Sequence, residues 1–210
     1  MTAPSAAPGP ARFPGFSVLG QAGHWDEATR SVVLARLEPP GALRFFSRSE
    51  QATATALVAL LVDVEPGLAA SLVAGIDTRL ADDQTDGWHY DDMPTDEEAW
   101  RRSLAALDAE AAGSGADGFA ALPSGDGRML LEGIADSDAA TWHGLPRNRV
   151  WDLWMRYSAT AYYAHPAAWG EMGWPGPAYP RGYKNAGIDA REPFEVRDTH
   201  PGFDPARRSA

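Results

Sequence analysis

Within eleven residues the chain places Asp82, Asp83, Asp86, His89, Asp91 and Asp92, side chains from which a hard divalent cation could draw several oxygen ligands. The run lacks the spacing of a helix-loop-helix calcium site, with no Asp-x-Asp-x-Asp-Gly followed by Glu. A solvated loop ahead of a helix accounts for most such acidic runs and is the favoured reading. A free-standing metal-dependent enzyme using the Asp82–Asp92 cluster is the alternative it keeps open. Other catalytic chemistry finds little footing. The five histidines, His24, His89, His143, His165 and His200, are scattered with no His-x-x-x-His pair, and the absence of cysteine excludes thiolate nucleophiles, disulfides and iron–sulfur ligation. No Gly-x-Ser-x-Gly elbow and no phosphate-binding loop is present. Gly113 to Gly118 matches Gly-x-Gly-x-x-Gly but follows a helical pattern rather than a strand, so it reads as a helix stop. No catalytic, metal or cofactor-binding residue is assigned.

A second concentration of side chains suits recognition. Ten aromatic residues fall between Trp142 and Tyr183. At the end of this stretch, Gly173 to Tyr183 interleaves Pro175, Pro177 and Pro180 with Gly173, Gly176 and Gly182. Proline fixes φ and removes N–H donors, so the segment is expected to be an extended strap, neither helix nor central strand. Two readings stand for it: a strap that wraps its own helices, and one that docks on a partner through Trp169, Trp174, Tyr179, Arg181 and Tyr183, residue types enriched at interface centres.

The elements that would position these residues are helices. Ser47 with Glu50 forms a capping box, and Leu57, Leu60, Leu61 and Val64 follow at helical spacing, predicting a buried helix over about 48–63. Pro66-Gly67 interrupts it, and Ala69 to Leu80 reads as a second helix. Thr95 with Glu98 forms another capping box, opening a helix over 96–112 with Trp100, Leu104 and Leu107 on one face. A further helix reaches Ile134, with Met129, Leu130 and Ile134 as its apolar residues. Arg147 to Ala164 carries the strongest pattern: Val150/Trp151, Trp154, Tyr157/Ser158 and Ala161/Tyr162 recur at three and four before His165-Pro166 ends it. His165 is expected to serve the last carbonyls of that helix. Ser31 to Leu37 fits a strand or a helical turn. No strand pair is recognised, and the fold expected is all-α, a compact bundle of about five helices with extended termini. Residues 1–15 are expected to be disordered, 16–184 to form one domain, and 185–210 an extended tail.

Eighteen basic against 29 acidic residues among 210 give a formal charge of −11, which disfavours nucleic acid and anionic membranes as partners. No apolar run approaches the ~18 residues of a membrane span, and the N-terminal MTAPSAAPGPARFPGF has no signal-like pattern. The location expected from the chain itself is cytoplasmic.

The run AYYAHPAAWGEMGWPGPAYPRGY (161–183) resembles the C-terminal signature of the gluconate 2-dehydrogenase subunit 3 family, and RFFSRSEQATATALVALLVDV (44–64) resembles that family's N-terminal helix. The resemblance implies a non-catalytic small subunit that stabilises or chaperones a large one. That large subunit would be an FAD-dependent oxidoreductase of the glucose-methanol-choline type that oxidises gluconate, glucose or a glycoside, with FAD on the large subunit and no cofactor in this chain. Family members commonly carry a twin-arginine export signal, which this sequence lacks, its Arg-Arg pairs being Arg101-Arg102 and Arg207-Arg208. A periplasmic location would therefore require co-export with the partner.

Overall fold

The computed structural model describes residues 15–38, 41–88, 90–172, 174, 176 and 177. Contacts divide the chain into two compact units, residues 39–164 and the combination of 1–38 with 165–210. The larger unit carries most of the helices and the main core.

Its first helix, α2 (Arg48–Leu61), begins where the capping box requires. The Ser47 hydroxyl accepts from the Glu50 N–H at 3.3 Å, and the Glu50 carboxylate accepts from the Ser47 N–H at 2.8 Å, so two of the donors a helix start leaves orphaned are satisfied reciprocally. Leu57 and Val58 are fully buried, with Leu60, Leu61 and Val64 at the margin of the core. The next helix, α3 (Pro66–Ala81), starts earlier than expected: Pro66 opens it, because the first helical position has no use for the missing N–H. A turn of 114° separates α2 from α3, and no single helix among the described residues is long and apolar enough to cross a membrane.

Helix α4 (Asp96–Gly113) buries Trp100, Leu104 and Leu107 completely, as its pattern implies. Its cap is simpler than a capping box. The Thr95 hydroxyl accepts from the Glu98 N–H, but the Glu98 carboxylate pairs with Arg102 at 3.3 Å. The glycine-rich stretch after it does stop the helix: Gly115 and Gly118 have φ of +89° and +87°. At Gly118 a Cβ would come within 3.1 Å of Asp108 Oδ1, so glycine is required for the turn that lets Phe119 N–H donate to Asp108 at 2.9 Å.

Helix α5 (Ser124–Asp136) buries Leu131 and Ile134. Met129, expected on its apolar face, is 63% exposed, because the buried stripe runs through Gly127, Leu131 and Ile134. Between α5 and α6 (Arg147–Ala164) lies a two-stranded hairpin that the sequence reading missed, β1 (Thr141–Trp142) against β2 (Leu145–Pro146), with Trp142 opposite Leu145. His143 and Gly144 form its turn with φ of +48° and +74°, the positive pair that two-residue hairpins favour. Strands of two residues are too short for a period-2 signal, which explains the omission.

The core of this unit is aromatic at its centre. Trp100 stands edge-on to both Phe46 and Tyr157, with ring centroids 5.8 Å apart in each pair. Trp154 stands edge-on to Trp142 at 5.5 Å and donates its indole N–H to Ser103 Oγ at 3.0 Å. Such rings bury large areas and gain about 0.5–1.5 kcal/mol per pair beyond burial. Arg147 ties the end of α5 to the start of α6, donating to the carbonyls of Ile134, Ala135 and Ala139 at 3.0, 2.7 and 3.1 Å.

The smaller unit contains a 3-10 helix (Leu19–His24), α1 (Glu27–Ala35) and the short α7 (Pro166–Trp169). The stretch Ser31–Leu37, open between strand and helix in the sequence, is helical through Ala35; Asp26 caps α1 by accepting from Thr29 N–H at 2.8 Å. Val18, Trp25, Val33 and Trp169 form a separate buried cluster. His165 corrects the sequence reading. Its backbone is extended, and Nδ1 accepts from Ala167 N–H at 3.2 Å, so it caps the start of α7 rather than serving the last carbonyls of α6. Burial holds the His165 imidazole below its ordinary pKa, against the opposing pull of a hydrogen bond with the Arg36 backbone.

Candidate functional site

The surface richest in convergent chemistry is formed by α6 and by the loop that joins α3 to α4. Arg149, Asp152 and Arg156 are three, four and seven residues apart, so α6 presents them along one face. Facing them are the loop aspartates and two rings, Trp88 and Tyr90.

Arginines engage the acidic run. Asp82 accepts from Arg44 at 2.7 Å, Asp86 from Arg79 at 2.9 Å and also from Arg156, and Asp92 pairs with Arg149 at 3.7 Å. Asp96, the first residue of α4, accepts from Arg156 at 2.9 Å and from the Tyr157 hydroxyl at 2.7 Å. Among the described residues no group of three or more acidic or imidazole side chains converges as metal ligands would, and His89 lies outside the described residues. Of the run's aspartates, Asp82, Asp86 and Asp92 thus already have arginine partners, while Asp83 and Asp91 have none among the described residues.

Aromatic rings complete the network. The Arg149 guanidinium lies 3.5 Å from the centroid of Tyr90, and Arg156 lies 4.8 Å from Tyr157 and 5.5 Å from Trp88. Trp88 stands edge-on to Tyr90 at 5.2 Å. Burial alone would push the Asp86 carboxyl up, but its hydrogen bonds to Arg79 and Arg156 outweigh it and hold the group below the usual carboxylate range. For Arg156, desolvation is likewise outweighed by Asp96 and Asp86, and its pKa is raised. Burial and the bond to Asp96 both raise the Tyr157 hydroxyl, which stays protonated as a donor.

A different acid organises the interior and was missed in the sequence. Asp77, on α3, is buried and accepts from three consecutive backbone N–H groups: Arg44 at 2.8 Å, Phe45 at 2.9 Å and Phe46 at 2.8 Å. It holds the chain that enters α2. Its one available sequence signal was a charged residue at a position where the apolar stripe Leu72, Val73, Ile76, Leu80 demands burial.

The recognition residues read from the sequence fall as follows. Trp169 is buried in the small cluster of its own unit, and Trp174 stands edge-on to it at 4.4 Å, half-buried. Gly176, with φ of +114°, passes so close to Val18 that a Cβ would sit 2.8 Å from Cγ1. Tyr179, Arg181 and Tyr183 lie outside the described residues.

The geometry defines a helical protein with a charged, aromatic-lined surface. The gluconate 2-dehydrogenase subunit 3 family model matches residues 48–176, more than half of the chain, and the protein belongs to that family. Comparison with curated proteins and with solved structures gave no match. Membership in a family of dehydrogenase subunits implies a dehydrogenase partner.

Proposed function

We propose that this chain is the non-catalytic small subunit that binds and stabilises an FAD-dependent, glucose-methanol-choline-type large subunit acting on gluconate, glucose or a glycoside. The observation that carries the reading is the family match over residues 48–176, which spans the whole arrangement from α2 to α7. The chemistry of the described side chains supports it. A dinucleotide cradle needs its glycine fingerprint between a strand and a helix; here Gly113 ends α4 and Gly118 precedes a short 3-10 turn, so these residues do not fit a flavin. FAD belongs on the large subunit in this reading, and so does substrate selection. The compartment follows the complex, cytoplasm or periplasm according to where the large subunit resides.

The test is co-expression. The large subunit is expected to accumulate in soluble, dye-reducing form with this chain and to be depleted or aggregated without it. Equal yield and activity of the large subunit in both conditions would contradict the proposal.

A further inference from the structure

We propose that the ridge formed by Trp88, with the groove on either side of it, is the surface on which a basic, Lys- or Arg-bearing segment of the large subunit docks; this rests on the subunit reading above. Trp88 is 52% exposed although it stands beside Tyr90 and Arg156, so its own fold uses only part of the ring. Two grooves, of about 270 and 250 Å³, share Trp88 and Asp96 as walls. The first has Tyr90, Met93 and Leu153 as apolar lining and Asp152 at its edge; the second is lined by Asp83 and Glu97.

The balance of charge selects the occupant. Every arginine at this surface is engaged: Arg79 and Arg156 with Asp86, Arg156 also with Asp96, and Arg149 with Asp92. Asp83, Glu97 and Asp152, by contrast, have no cationic partner among the described residues. The uncompensated charge on both sides of the ridge is therefore negative. An acidic segment would be repelled, and a purely apolar one would leave these carboxylates to be desolvated without a partner. A lysine or arginine fits both demands. Its alkyl stem covers Trp88 and the apolar lining, its cationic head meets an indole face and a free carboxylate, and Trp and Arg are both enriched among the residues that dominate interface energies. The formal charge of −11 would steer a basic patch toward this chain from a distance.

The experiment measures binding of the full chain to the purified large subunit by surface-immobilised titration at low and raised salt, with circular dichroism of every variant. Trp88→Ala and Asp152→Lys are each expected to weaken binding at least tenfold with helix content unchanged, and wild-type affinity is expected to fall as salt rises. Met129→Ala, at an exposed apolar position on α5, should bind as wild type. If Trp88→Ala loses helix content, Asp152→Lys decides alone, because Asp152 is exposed and makes no ion pair among the described residues. Wild-type affinity in both variants would overturn the assignment of this surface while leaving the subunit reading intact. Tighter binding by Asp152→Lys would show the occupant to be acidic and overturn the proposal on that ground. Failure of the wild-type chain to bind the large subunit at all would overturn the subunit reading and this inference with it.

Discussion

Asp77 and Asp86 sit nine residues apart on either side of the end of α3, and the fold uses them in opposite ways. Asp77 is buried and spreads its two oxygens over three backbone N–H groups, which fixes the path of residues 44–46 and hence the point at which α2 begins. Asp86 is one-third exposed and joins two partly exposed arginines, Arg79 and Arg156, whose attraction salt can screen. A buried carboxylate that satisfies backbone donors is structural, because removing it leaves orphaned N–H groups in the interior. A carboxylate among arginines at the rim shapes a surface, here the one that carries Trp88.

That contrast gives graded expectations. The largest effect should come from Asp77→Ala, which strips three donors of their acceptor at once. A loss of about 3 kcal/mol or more is expected from denaturant unfolding, with Asp77→Asn intermediate because an amide retains one acceptor oxygen. A change below about 1 kcal/mol would show that water replaces the carboxylate and that the clamp is dispensable. Next is Asp108→Ala. Asp108 accepts from the Thr53 hydroxyl at 2.8 Å and from Phe119 N–H at 2.9 Å, and about 2 kcal/mol is expected by the same measurement. Ser47→Ala, which removes the cap directly after the segment that Asp77 holds, should cost about 1 kcal/mol in thermal or denaturant unfolding.

The smallest stability effect is assigned to Asp86→Asn, below about 1 kcal/mol and diminished further by salt. Its pH signature has a definite sign. The folded-state pKa of Asp86 is depressed, so its contribution is fully present above the unfolded-state value of about 4 and is lost as pH falls through the lower folded value. Wild-type stability should therefore decline in acid more steeply than that of Asp86→Asn. Parallel acid profiles would mean that the ion pairs do nothing for the folded state.

The comparison also explains what could be read from the sequence. Helices α2 and α4 were legible because their caps and their apolar spacing agree, as with Ser47 and Glu50 ahead of Leu57, or Thr95 ahead of Trp100, Leu104 and Leu107, and α6 was legible through its apolar spacing alone. The conspicuous aspartates of residues 82–92 kept a metal site open as the alternative to a solvated loop, because composition shows carboxylates and hides the arginines that reach Asp82, Asp86 and Asp92 from α3, α6 and residue 44. Asp77 escaped notice for the converse reason. A single acid in an apolar helix carries no pattern, and its partners are backbone groups about thirty residues away, which no side-chain motif records. The hairpin at Thr141–Pro146 was invisible because its signal is confined to a two-residue turn, and His165 was assigned to the wrong helix because a His-Pro pair serves equally as the end of one helix and the cap of the next. Trp88 offered no periodicity, and its role as a ridge emerges only when Arg156 and Tyr90 are seen beside it.

The role proposed for this chain is to stabilise a flavoprotein while carrying no flavin itself. It is tested most directly by co-purifying the full chain with its large subunit, separating the two without denaturation, and following flavin absorbance and dye reduction in each fraction. The expected result is a stable complex whose flavin and activity stay entirely with the large subunit, with the small chain colourless and inactive. Flavin or sugar-dependent dye reduction in the isolated small chain, or the absence of any complex, would contradict it.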